Sequence, residues 1–175
     1  MASSGIWVEG ADRVFMNMNR VVDSVAKESM KGIKKAGMEI IAQAQRNMRT
    51  AGHNGATLNN TGRLSQSGRV QDVQNDPNAV DVGFFSDEGG RGYAAFVEYG
   101  TKAHSAPLEP IRQWVKKKMR VAANSVNTVA FFIHRRIRRR GTNAHAFFAP
   151  AVQKNKEAVS KAISEAVQSV INKNL

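Results

Sequence analysis

Between Val14 and about Met48 the apolar residues return at helical spacing for far longer than an ordinary helix lasts. Val14, Met18, Val21, Val22 and Val25 make one stripe, and Met30, Ile33, Ile40, Ile41 and Ala44 continue it. A stripe of this length has to be covered by other elements, so the rest of the chain is organised around one long amphipathic helix. Gly32 and Gly37 lie inside the pattern and mark either a bend or a close helix contact. Upstream, Ile6-Trp7-Val8 reads as a short strand that Gly10 breaks, and Asp12 is placed to cap the helix.

The elements that follow are shorter. "TAGHNGATLNNTGRLSQSG" has loop composition, and its Thr50–Asn60 part reads as an arm that orders against a neighbour. Val70–Val73 and the alternating Val80, Val82 and Phe84 read as an antiparallel hairpin, with "NDPN" as its turn. "YAAFVEYG" suits helix or strand. Pro110 sits in a first helical turn whose apolar face is Ile111, Trp114, Val115 and Met119. Ser125 can cap a further helix with the stripe Val126, Val129, Ala130, Ile133 and Ile137, which Gly141 ends. Pro150 opens a C-terminal helix carrying Val152, Val159, Ile163, Val167 and Val170. The remaining connections are short, so residues 1–175 are expected to form a single domain.

Composition narrows the function classes. The apolar content leans on Ala, Val, Ile and Met, which favours helices over a large sheet. The formal charge of +12 calls for an acidic partner, whether nucleic acid, membrane surface or protein. No cysteine is present, which removes disulfides and thiolate metal sites. The N-terminus lacks a secretory pattern, and no apolar run approaches the roughly 20 residues that span a bilayer. The chain is expected to fold in the cytoplasm with no membrane contact; its two tryptophans, Trp7 and Trp114, offer little to an interface.

Catalysis finds little support. Serine or threonine would need His53, His104, His134 or His145 as base, and none lies in a nucleophile motif. Glu98 and Glu109 are isolated carboxylates, and His104 with His145 lacks a third metal ligand. "GGRG" lacks the Lys-Ser/Thr of a phosphate loop. Neither enzyme activity nor a cofactor is expected.

Two features of the second half carry more. "GTKAHSAP" (Gly100–Pro107) echoes "GTNAHAFFAP" (Gly141–Pro150), read either as a twice-used helix lead-in, with Gly left-handed, or as a shared two-histidine site. The basic charge is concentrated on two helices: Lys116, Lys117, Lys118 and Arg120 on one, and Arg135, Arg136, Arg138, Arg139 and Arg140 on the next. Ile133 and Ile137 keep an apolar stripe while these arginines point elsewhere. Such a face neutralises phosphates without reading sequence, or meets an acidic protein.

Taken in order, four stretches resemble the neck and tail-completion family of long-tailed bacteriophages. "WVEGADRVFMNMN" is similar to its strand, glycine and first helix. "TGRLSQS", with Thr61, Gly62, Leu64 and Ser67, resembles its Thr-Gly-x-Leu-x-x-Ser element. "YAAFVEYGT", with Tyr93, Glu98, Tyr99, Gly100 and Thr101, resembles its most recognisable motif. "AFFAPAVQKNKEAVSKAI", with Phe147, Phe148 and Pro150, is similar to its closing element, although Ala146 replaces the first proline. The helical pair at about 108–141 reads as an insertion.

The resemblance implies a structural virion protein without catalysis. It would form a homo-oligomeric ring at the neck or tail, between head–tail connector proteins and the tail tube or terminator proteins. Assembly would take place in the host cytoplasm, and the basic face would line a channel crossed by genome DNA or pair with an acidic neighbouring ring. It also implies an α+β fold in which the long N-terminal and C-terminal helices pack on the small antiparallel sheet, with the helical pair inserted. Glu98 would either anchor a backbone amide or arginine, with Tyr93, Phe96 and Tyr99 packed beneath it, or serve as a local cap or surface charge. The alternative from another class is a free, nonspecific DNA-binding protein that uses the basic helices.

Overall fold

A computed structural model describes residues 11–50, 62–85 and 92–174. The fold is α+β: six helices around one two-stranded antiparallel sheet among the described residues. The strand expected at Ile6–Val8, Thr61 and the arm from residue 51 onward lie outside the described residues.

Helix α1 (Ala11–Thr50) is continuous, with Asp12 in its first turn, where a carboxylate favours the positive end of the helix dipole. The two glycines inside it mark close contacts. A Cβ on Gly32 would lie 3.0 Å from the Ala162 carbonyl oxygen, and one on Gly37 would lie 2.9 Å from a Val82 methyl. Gly32 thus lets the C-terminal helix α6 (Ala149–Asn174) approach, and Gly37 lets the hairpin approach. Gly32 meets Ala162 while Asn47 reaches Phe147, so α1 and α6 run antiparallel.

The hairpin joins β1 (Gly68–Val73) to β2 (Asp76–Phe84), pairing Gly68 with Phe84 and Val70 with Val82. Its turn is Gln74-Asn75, with Asn75 left-handed at φ 69°, and Asp76 and Pro77 already belong to β2. The turn is therefore tighter than "NDPN" suggested. Asparagine tolerates this conformation because its short polar side chain clashes little. Before β1, helix α2 (Arg63–Gln66) makes a single turn where loop was expected. "YAAFVEY" resolves as helix α3 (Tyr93–Tyr99).

Two apolar clusters form. The larger joins Ile40, Ala44 and Met48 of α1 to Leu64, Phe147 and Ala151, with Val82, Phe84, Ala94 and Val97 against it. The Phe84 ring meets Phe147 edge-on at 5.2 Å. The smaller belongs to α4 (Leu108–Lys118) and α5 (Val126–Arg140), where Val115, Val126 and Ala130 are buried among Ile111, Trp114 and Ile133.

The described residues cover the stripe along α1 only in part. By length, α1 spans about 60 Å and α6 about 39 Å. Pairing starts at the Asn47–Phe147 end, so the first turns of α1 extend past α6. Val14, Phe15, Met18 and Val22 are 58–65% exposed there. On α6 the inward residues include Ala151 and Val170, while Val152 faces outward, one position off the expected stripe.

Candidate functional site

Glu98 is the one buried charged residue among those described, at 7% exposure. It sits near the end of α3, and its carboxylate receives three backbone N–H groups from the start of α6. Phe147 and Phe148 donate to Oε2 at 2.8 and 2.9 Å, and Ala149 donates to Oε1 at 2.9 Å. The first N–H groups of a helix have no partner within it, and they form the positive end of its dipole. A carboxylate borrowed from another helix satisfies them and offsets the cost of burying its own charge. Of the roles open to Glu98, backbone anchoring is the one the structure shows, within its own chain.

The aromatic residues around Glu98 do not pack beneath it. Ala94 and Val97 face the core, while Tyr93, Phe96 and Tyr99 are 54%, 47% and 77% exposed. In a helix, positions 93, 96 and 99 fall on the side opposite Ala94 and Glu98, and the inward side is already filled. The result is an outward aromatic face on a helix held by its inner carboxylate.

The glycine-threonine echo is a paired structure. Gly100 and Gly141 end α3 and α5, both at φ 74°. Thr101 and Thr142 then form a two-residue antiparallel bridge, and their hydroxyl oxygens lie 3.0 Å apart. The His104 N–H donates to the Ile137 carbonyl at 3.4 Å, and the His145 N–H donates to the Val97 carbonyl at 2.9 Å. Each lead-in thus caps the last turn of the other's preceding helix. The imidazole Nδ1 of His104 lies 2.9 Å from the Lys102 carbonyl, a local bond. No group of three or more metal-ligating side chains occurs among the described residues.

The remaining motif residues act locally. Gly62 takes φ 86° before α2, Leu64 plugs the core, and the Ser67 hydroxyl donates to the Leu64 carbonyl at 2.9 Å. Phe147 is 1% exposed and belongs to this chain's core; Phe148 is half-buried beside it, and Pro150 lies in the first turn of α6. The structure brings Leu64, Glu98, Phe147 and Phe148 into one neighbourhood and ties Gly100-Thr101 to Gly141-Thr142. Tyr93 and Tyr99 face away from it. Two contributors escaped sequence reasoning: Asn47 donates to the Phe147 carbonyl at 2.8 Å, and Gln45 to the Ser65 carbonyl at 2.7 Å. Polar residues in a long helix carry no signal of a distant backbone partner.

The basic residues lie on the separate α4–α5 pair. Lys116, Lys117, Arg120, Arg135, Arg136, Arg138, Arg139 and Arg140 are exposed, and Lys118 is half-buried. Phe131 and Phe132 are also exposed, on the turn before the arginines.

The family described as "Bacteriophage HK97-gp10, putative tail-component" has a model that matches residues 12–100. The matched span runs from the first turn of α1 through the hairpin and α3 to Gly100, and it ends before α4, so the basic pair lies outside it. No curated protein and no solved structure matches the chain.

Proposed function

The chain belongs to the HK97-gp10-like family of bacteriophage tail components, and from that premise we propose that it completes the tail or head–tail junction as a subunit of a homo-oligomeric ring. As a tail component it is a structural protein of the virion and works among other virion proteins. The reading places connector proteins on one side of the ring and tail-tube or terminator proteins on the other, with no catalytic step.

The observation that carries the ring is the uncovered end of α1. Its buried half and its exposed half have the same apolar pattern, yet the described residues cover only one of them. Exposed patches of this kind mark docking surfaces. Residues 11–26 hold two acidic and two basic side chains, Asp12, Asp23, Arg13 and Arg20. The local charges therefore balance, and copies can meet there without like-charge repulsion at that end. The outward aromatic face of α3 gives a second surface within the family-matched span.

Light scattering on the purified full chain tests this reading. A discrete multimer is expected, and Phe15→Glu with Met18→Glu should give monomers of unchanged helicity. A wild-type chain that stays monomeric and is missing from assembled tails would overturn it. A chain that binds DNA in the cell but never joins a particle would favour the free DNA-binding alternative.

A further inference from the structure

We propose that the outer face of the α4–α5 pair binds the phosphate backbone of duplex DNA. This goes beyond the ring reading and does not need it, because one chain carries the whole surface.

The charge is segregated. Residues 100–148 hold eleven Lys and Arg against a single acidic residue, Glu109, which places +10 of the chain's +12 here. Glu109 is already engaged by Arg112 at 3.2 Å. The side chains of the exposed cations Lys116, Lys117, Arg120, Arg135, Arg136, Arg138, Arg139 and Arg140 form no ion pair or hydrogen bond with a described residue.

Such crowding costs helix stability. Arg135 lies three and four residues from Arg138 and Arg139, and Arg136 lies four from Arg140, spacings at which like charges repel. The dipole at the end of α5 offsets part of this. Among the described residues none supplies a carboxylate for the remainder, which leaves the face open to an external polyanion.

A regular polyanion fits this surface better than a protein does. On the last turns of α5 the arginines occupy the sides away from His134 and the Ile133–Ile137 stripe, with no acidic residue between them. A protein partner would present a mosaic of apolar and polar groups, not an unbroken run of negative charge. Duplex DNA presents one negative charge per roughly 1.7 Å of axis, and guanidinium forks match phosphate oxygens. The platform is rigid: α4 and α5 share their own core, and the Thr101–Thr142 bridge closes the base of the excursion. Phe131 and Phe132, with rings 6.2 Å apart, sit one turn before the arginines and serve as an internal control.

The test is fluorescence anisotropy with the full chain and a mixed-sequence duplex of roughly 24 base pairs. With about five phosphates neutralised, affinity should fall roughly 500-fold between about 50 and 200 mM salt. Arg135→Glu, Arg138→Glu and Arg139→Glu together should cost more than about 100-fold at the lower salt and flatten the dependence. The neutral triple Arg→Gln variant should move the same way, with a thermal midpoint at or above that of the wild type confirming the fold. An equal charge change elsewhere, by Lys27→Glu, Lys35→Glu and Lys156→Glu, should stay within about threefold. Phe131→Ser with Phe132→Ser should leave binding intact. The proposal fails if the distant reversal costs as much, because net charge would then account for binding. It also fails if the phenylalanine variant loses the duplex, or if polyglutamate binds as tightly, which points to a protein partner.

Discussion

Thr101 and Thr142, 41 residues apart in the chain, exchange both backbone hydrogen bonds at 3.2 Å and bring their hydroxyls within 3.0 Å. They belong to the two copies of a short repeated stretch, and each follows a glycine at φ 74°. The repeat is therefore two strips that brace one another. The brace also closes the base of the α4–α5 excursion and ties the end of α5 to the end of α3.

Gly141→Ala should destabilise the fold by about 3 kcal/mol, because the left-handed backbone disfavours a Cβ and the neighbouring chain has no room for one. A Cβ there would lie 2.7 Å from the Lys102 carbonyl carbon. Gly92→Ala, with nothing within 4 Å of the new Cβ, should stay within about 0.5 kcal/mol. Urea unfolding of both variants checks the contrast.

Glu98→Ala should cost about 3 kcal/mol, since three N–H groups at the start of α6 lose their acceptor in a buried site. Glu98→Gln keeps one acceptor oxygen but turns a donor toward donors, and should recover only part of the loss. Hydrogen exchange at Phe147 and Phe148 should rise in both variants, which separates loss of the cap from a general weakening.

Phe147→Ala and Tyr99→Ala should differ in kind. Phe147 is 1% exposed against Phe84, and its truncation should cost about 4 kcal/mol. Tyr99 is 77% exposed, and its truncation should change stability by no more than about 0.5 kcal/mol. If the aromatic face of α3 docks a neighbour, Tyr99→Ala should instead weaken association, which light scattering would detect.

Lys34→Ala tests how much an exposed ion pair contributes. Lys34 lies 2.6 Å from Asp72 of β1, but the two side chains are 41% and 69% exposed. Solvent screening should hold the loss below about 1 kcal/mol, and the difference from wild type should shrink further in high salt. Thermal melts of both proteins at two salt concentrations measure it.

Much of the architecture is written locally and was legible in the chain. The 3.6-residue apolar rhythm of α1, the alternation of Val80, Val82 and Phe84, and the glycines that end α3 and α5 each act through neighbouring residues. Their signals survive in one dimension. So does the charge segregation, because it is a property of composition along the chain. What the tertiary structure decided are matters of partner choice. Val14 and Ile40 belong to the same stripe, yet α6 covers Ile40 and is too short to reach Val14. Glu98 looks like an isolated carboxylate until folding brings the bare N–H groups of a helix 49 residues away against it. Tyr93 and Val97 share a seven-residue helix, and only the position of the core says which one faces inward. Burial and pairing at these sites depend on where a second segment arrives, and no local pattern encodes that.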